Sequence, residues 1–201
     1  MIYTNEMVSE NIKEYKSPHS KITHMVKRGE LIRVRRGLYS DTINTPGEIF
    51  APLVYSPSYI SFQYALAFHG LIPEAVFNFT CAGFGLESDK IFKTPFGVYV
   101  YKYIPEEVFC IETRLIEEQE YSIKIAAPEK ALCDMVYKLR YAKTMKDVEE
   151  YLFKDLRIEE QSLQGLRLTV FEDLAPLYKR KTVKILKDIV KKVVNGKHYY
   201  F

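Results

Sequence analysis

Eight residues near the start of the chain have the types and spacing needed to grip a polyanion. Ser20, Lys21, His24, Lys27 and Arg28 fall within one helical length, and Arg33, Arg35 and Arg36 follow at once. Lysine and arginine donate charged hydrogen bonds to phosphate oxygens, while short polar side chains reach base edges. On that basis Ser20, Lys21 and His24 are expected to contact a DNA groove. Lys27, Arg28, Arg33, Arg35 and Arg36 are expected to contact phosphates. The bland alternative is a solvated helix followed by an edge hairpin whose arginines discourage strand pairing.

No other constellation in the chain makes a convincing catalytic or metal set. His19, His24, His69 and His198 lack metal-ligand spacing from any Cys, Asp or Glu cluster. Cys133-Asp134 has no placed histidine partner, so a buried structural cysteine is expected. His69, next to Gly70, is expected to bond a carbonyl at a helix end, and Glu129-Lys130 to serve a helix start. The segment GFGLESDK (83–90) has two glycines but no phosphate-loop or dinucleotide signature, and reads as a loop. A metal-dependent nuclease would need acidic residues and a lysine converging on a metal; Glu112-Thr113-Arg114 is the nearest approach. The chain is therefore read as a non-enzyme that needs no cofactor.

The elements that must position the eight residues are legible. Ser17 suits an N-cap and Pro18 a first helical position. Ile22, Met25 and Val26 form an apolar stripe, with Ser20, His24 and Lys27 opposite it. Gly29 ends the helix. In LIRVRRGLY, Ile32 and Val34 point one way, Arg33 and Arg35 the other, and Gly37 makes the turn. A polar-faced helix followed by a short basic ribbon is the pattern of a winged helix-turn-helix. Thr4 is expected to cap a supporting helix through Tyr15, with Met7, Val8, Ile12 and Tyr15 on its apolar face. Only three residues precede Thr4, so the helix that opens a full winged helix is expected to be missing. Two short helices and a hairpin bury little surface, so the rest of the chain is expected to complete their core.

Charge is segregated behind a net +3 over 201 residues. Residues 1–40 hold 8 Lys/Arg against 4 Asp/Glu, residues 41–174 hold 13 against 21, and residues 175–201 hold 8 against 1. Basic ends imply a polyanionic partner; an acidic middle would repel one and could instead recognise a basic protein. There is no apolar run long enough to span a membrane and no secretory signal, and the cysteines Cys81, Cys110 and Cys133 are odd in number and far apart. A cytoplasmic protein is expected.

Further along, residues 41–57 read as a connection and Ser61 to His69 as a helix stopped by Gly70. Residues 76–126 read as strands of a largely antiparallel sheet, with KIFKTPFGVYVYKYI a hairpin. A helix begins at Pro128, with Ala131, Leu132, Met135, Val136 and Leu139 buried. Another spans about Met145 to Leu156, with Thr144 and Asp147 as its capping pair. Ser162 to Leu174 is ambiguous. A last helix runs from about Pro176 to Val194 and is capped by Asn195-Gly196. The expected fold is α+β: a short winged helix-turn-helix over residues 1–45, then a mixed domain over 46–201 with C-terminal helices.

Three segments, HMVKRGELIRVRRGLY (24–39), SYISFQYALAFHGLIPE (58–74) and IAAPEKALCDMVY (125–137), occur in the order found in AbiEi-family antitoxins. YLFKDLRI (151–158) and the basic C-terminal helix extend the match weakly. The chain thus resembles antitoxins of type IV toxin–antitoxin, abortive-infection systems. The resemblance implies a winged helix that binds double-stranded DNA at its own operator and represses its operon. It also implies a C-terminal domain that counters a nucleotidyltransferase-type toxin, with or without a direct complex. Carried over by position, Ser20, Lys21, His24, Lys27, Arg28, Arg33, Arg35 and Arg36 form the DNA-facing set. The missing first helix is a departure from the pattern. The alternatives are a protein-binding module acting through the acidic middle and, further off, a nuclease fused to a winged helix.

Overall fold

The computed structural model describes residues 1–118 and 121–196 of an α+β chain. Strand β1 (Ile2–Thr4) leads directly into helix α1 (Asn5–Asn11), and α2 (Pro18–Lys27) follows. Strands β2 (Ile32–Arg35) and β3 (Leu38–Ser40) form a hairpin, and β1 pairs with the outer side of β3, giving the order β1-β3-β2, antiparallel throughout. Thr4 caps α1 by accepting from the Met7 N–H, as expected, but the helix ends at Asn11 rather than Tyr15. Val8 and Ile12 are buried; Met7 and Tyr15 are about half exposed, because the chain leaves the helix before Tyr15 can join their face.

A 3-10 turn at Gly47–Phe50 runs into α3 (Ala51–Val54), β4 (Ser58–Ile60) and α4 (Phe62–Phe68). Then come β5 (Phe79–Gly83), β6 (Lys90–Thr94), β7 (Gly97–Tyr103), β8 (Thr113–Glu118) and β9 (Tyr121–Ala126). Five helices close the described chain: α5 (Pro128–Tyr137), α6 (Met145–Glu150), α7 (Glu160–Gln164), α8 (Leu168–Leu177) and α9 (Lys181–Val194). The larger sheet has the order β6-β7-β5-β4-β9-β8. It is mixed rather than largely antiparallel: β5 runs parallel to β7, and β4 parallel to β9, and in neither case are the two strands consecutive in the chain, since parallel neighbours cannot be joined by a tight hairpin.

The expected β6–β7 hairpin, the α5 start at Pro128 and the Thr144–Asp147 capping box are all present. The helix expected to reach Leu156 changes to a π turn at Tyr151–Asp155. Pro176 does not start the last helix. It sits in the final turn of α8; Lys179 then adopts a left-handed backbone (φ 50°), and α9 begins only at Lys181. Thr182, Val183, Leu186, Ile189, Val190 and Val193 of α9 are buried, and Asn195-Gly196 terminates it, Gly196 with φ 79°.

Burial of large tyrosines is matched by acceptors for their hydroxyls, as it must be in an apolar setting. Tyr99 donates to the Gly47 carbonyl at 2.8 Å and Tyr101 to the Ala51 carbonyl at 2.6 Å, fastening the Gly47–Val54 segment to the sheet. A charged network ties β4, α5 and α8 together. Lys130 and Asp134, both fully buried, form an ion pair at 2.6 Å, one helical turn apart. Asp134 also accepts from Ser61 at 2.7 Å, Tyr59 at 3.2 Å and Tyr178, while Lys130 donates to the Tyr178 hydroxyl at 2.6 Å. Burial, with the Asp134 carboxylate beside them, pushes the phenols of Tyr59 and Tyr178 well above their ordinary pKa, so both remain donors. Among the described residues, no helix is long and apolar enough to cross a membrane.

Candidate nucleic-acid interface

Helix α2 buries one side and presents the other. Ile22 is 1% exposed, packed with Val8, Ile12, Leu31 and Tyr39, and Met25 and Val26 flank this cluster half-buried. At about 100° per residue the opposite side carries Ser20, His24 and Lys27, all of them exposed. Gly29, with φ 75°, stops the helix, and the Gly29 and Glu30 N–H groups return to the Val26 and Met25 carbonyls at 3.1 and 3.0 Å. This tight stop sends Leu31 straight into the core and the chain into β2.

The hairpin is not a free ribbon. In its register Arg33 faces Tyr39 and Arg35 faces Leu38, so Val34 is the extra residue of a bulge. The bulge sends the two arginines to different places. Arg33 turns toward the α1–α2 side, its guanidinium carbon 6.0 Å from the Tyr39 ring. Arg35 turns toward the larger sheet, where Nη1 donates to the Val54 carbonyl and the guanidinium lies 5.8 Å from the Phe92 ring. Val34 and Leu38 are buried in the main core, whereas Leu31 and Tyr39 belong to the small one. Gly37 takes φ 81° at the tip, and its carbonyl accepts from the Asn5 N–H at 2.9 Å, so the start of α1 holds the tip in place.

Between the α2 N-terminal turn and this tip lies a groove of about 700 Å³ lined by Asn5, His19, Thr23, Arg33, Arg36, Gly37 and Tyr39. Its uncharged polar walls come from α1, α2 and β3, and its charged walls are Arg33 and Arg36. Neither arginine, nor Lys27 on the exposed side of α2, has a carboxylate partner among the described residues. The arrangement can hold a phosphate between hairpin and helix while the exposed side of α2 meets the adjoining bases.

No family model matches this chain. A search of curated proteins likewise finds no match to it.

The structure divides the eight expected residues into three groups. Ser20, His24 and Lys27 lie on the exposed α2 side, and Arg33 and Arg36 line the groove beside it. Lys21 and Arg28 sit on the far flank: Lys21 Nζ is 4.4 Å from the Tyr15 ring centre, and Arg28 Nε is 3.3 Å from Glu30. Arg35 lies at the back, engaged with Val54. Sequence reasoning did not single out Asn5, His19 and Thr23. His19 and Thr23 are four residues apart and so share a helix face, and Thr23 Oγ1 donates to the His19 carbonyl at 3.0 Å. That spacing could have been read, but which flank of α2 the hairpin tip adjoins depends on tertiary packing.

The other candidate residues are engaged in the fold. Cys133 is buried, and burial pushes its thiol pKa strongly up. Glu129 is 2% exposed. Its carboxylate accepts from the Arg167 backbone N–H and Nε, both at 3.0 Å, and from Nη2 at 3.1 Å. Burial alone would raise the Glu129 pKa, but these hydrogen bonds outweigh it and the pKa is lowered. Glu112 accepts from Arg167 Nη2 at 2.6 Å, so the nearest nuclease-like carboxylate is held by an arginine. His69 Nε2 donates to the Ala126 carbonyl at 2.8 Å. His198 lies outside the described residues. Among the described residues, no group of three His, Cys, Asp or Glu side chains is placed to hold a metal ion.

Proposed function

We propose that this chain is a double-stranded DNA-binding transcriptional repressor that acts as the antitoxin of an AbiEi-like type IV toxin–antitoxin, abortive-infection operon. Its N-terminal elements work as a winged helix: α2 enters the major groove, and the Arg36-Gly37 tip with Arg33 lies on the backbone. Ser20 and His24 face bases, and Lys27, Arg33 and Arg36 face phosphates. Lys21 and Arg28 reach phosphates only at the margin, and Arg35 orients the hairpin. The remainder of the chain counters a companion nucleotidyltransferase-type toxin in the cytoplasm. The observation that carries the reading is the pair Arg33 and Arg36, without a carboxylate partner among the described residues, which line a groove of about 700 Å³ with His19 and Thr23 of α2, beside the exposed Ser20, His24 and Lys27.

The test is a mobility shift of the DNA upstream of the chain's own gene over a salt series. Specific binding that weakens with salt, and disappears in a Lys27→Ala/Arg33→Ala/Arg36→Ala variant that keeps its melting temperature, supports the reading. An unchanged shift in that folded variant removes the groove from any role in DNA binding.

A further inference from the structure

A second cationic site, which shares no residue with the N-terminal groove, lies where the end of α5 meets the start of α9. A compact pocket of about 160 Å³ is lined by Tyr103, Tyr137, Lys138, Arg140 and Arg180. Three of its five walls are cations and none is a carboxylate. At about 30 Å³ per water, it has room for a phosphoryl group but not for a nucleoside. Two of the three cations are held in place by the fold. Arg180 stacks over Tyr137, its guanidinium carbon 5.7 Å from the ring centre, and Nη2 donates to the Leu139 carbonyl at 3.3 Å. That bond occupies a carbonyl at the negative end of α5, which would otherwise oppose an anion. Lys138 is positioned by Asp89 at 3.3 Å and the Tyr103 carbonyl at 3.5 Å. Arg140 is exposed and has no carboxylate partner among the described residues.

A fourth cation, Lys102, is near enough to Lys138 for the two charges to oppose one another. Burial holds its pKa below the usual lysine value; Asp89 pulls it back, and Lys138 pushes it down again. The nearby acids offset this charge only in part. Asp89 serves Lys138, and Glu107 is paired with Lys179 at 2.7 Å.

Two of the walls, Lys138 and Arg140, also line an adjoining hollow of about 630 Å³. Its character is different. Tyr141, 91% exposed, offers an open ring face; Asp155 supplies a carboxylate acceptor, and Glu150 another whose Oε1 already accepts from Lys154 at 3.3 Å. A small cationic pocket opening into a larger one with a stacking surface and acceptors for hydroxyl or amino donors matches the two ends of one ligand class.

We propose that this composite site binds a nucleoside phosphate. The phosphoryl group sits among Lys138, Arg140 and Arg180, and the nucleoside lies in the adjoining hollow against Tyr141. The ligand is either a free nucleotide or the phosphorylated end of a nucleic-acid strand, which share this chemistry. The site is independent of the operator reading, since it shares no residue with the N-terminal groove.

The test is calorimetric titration of the full chain with AMP, inorganic phosphate, adenosine and a short 5′-phosphorylated oligonucleotide. AMP is expected to bind more tightly than phosphate, and adenosine more weakly than either. Arg140→Glu, at an exposed position, should weaken both AMP and phosphate by about tenfold or more. Tyr141→Ser should weaken AMP and leave phosphate unchanged. Saturation by AMP, or by the oligonucleotide alone, supports the site and identifies the source of its ligand. Phosphate binding as tightly as AMP, the absence of binding by both AMP and the oligonucleotide, or affinities unmoved by Arg140→Glu in a protein of unchanged melting temperature would overturn it. The Lys27/Arg33/Arg36 alanine variant should bind AMP normally, which separates this outcome from the fate of the operator reading.

Discussion

Arg33 stands directly across the hairpin from Tyr39, its guanidinium carbon 6.0 Å from that ring, and is thereby held on the α2 side of the small sheet. Arg35, one bulge further on, is held on the other side by Val54. Two arginines of one ribbon thus have separate duties. Replacing Arg33 or Arg36 with alanine should reduce the magnitude of the salt slope of DNA binding by about one unit each, at little cost in stability. Arg35→Ala should leave the slope nearly unchanged and lower stability by about 1 kcal/mol, the scale of one net hydrogen bond at a partly exposed site. Mobility shifts over a salt series and urea melts of the three variants check this, and equal slope changes for all three would refute the division.

Ser20 and His24 occupy the exposed crest of α2, where a helix in the major groove meets base edges. Alanine at either position should relax sequence preference at one base pair, with a loss of about 1–3 kcal/mol for the preferred base there and little change in non-specific affinity. Competition binding with an operator library would show it. A uniform loss across all sequences would make these residues backbone contacts instead.

The buried Lys130–Asp134 pair predicts a strongly unequal mutant cycle. Asp134→Asn leaves the Lys130 ammonium without its counter-charge in a fully buried site, and should destabilise the protein by about 3–5 kcal/mol. Adding Lys130→Met should recover part of that loss, because the stranded charge is then gone. Chemical denaturation of the two single variants and the double variant measures the coupling. A purely additive cycle would mean that the two side chains do not stabilise one another.

Much of the fold can be read from periodicity. Ile22, Met25 and Val26 of α2 and Val183, Leu186, Ile189, Val190 and Val193 of α9 show their buried sides through helical spacing alone. What escapes is what long-range pairing decides. β4 has only three residues and no alternation, yet it lies at the middle of the larger sheet, because Ile60 finds a parallel partner in Ile125 and an antiparallel one in Cys81. Pro176 looks like a helix start by residue type, but the apolar side of α8, with Val170, Phe171, Leu174 and Ala175 buried, carries the helix through it. The Val34 bulge cannot be seen in the alternating IRVR, and so Arg35 is assigned to the wrong side of the ribbon in a period-two reading. At the candidate interface, residue types reveal the charge but not the walls supplied by Asn5, His19 and Thr23.

Glu129 links acid stability to Arg167. Its pKa is depressed in the folded state, so its contribution is present above the unfolded value, about 4.3, and is lost as pH falls through the lower folded one. Thermal melts from neutral to acidic pH should therefore show the wild-type chain losing stability below about pH 4.3 more steeply than Glu129→Gln. At neutral pH the variant should melt lower, because a neutral amide cannot hold Arg167 as strongly. Parallel pH profiles of the two proteins would show that the carboxylate gains nothing from its arginine.

The hairpin's two-sided burial bears on whether the N-terminal elements can stand alone. Leu31 and Tyr39 pack with Ile22, Val8 and Ile12, but Val34 and Leu38 pack into the main core, and Arg35 reaches Val54 in α3. The small cluster has only five buried hydrophobic residues. A fragment of residues 1–45 would expose Val34 and Leu38 and lose the Arg35 bond, leaving too little buried surface to offset the entropy of ordering its chain. The fragment should show no cooperative thermal transition and no mobility shift of the upstream DNA. The full chain carrying Val34→Asp should lose both stability and DNA binding, although its groove residues are untouched. A cooperative melt of the isolated fragment would show that its five-residue cluster is sufficient, and that the contacts of Val34, Leu38 and Arg35 with the larger unit only position the hairpin.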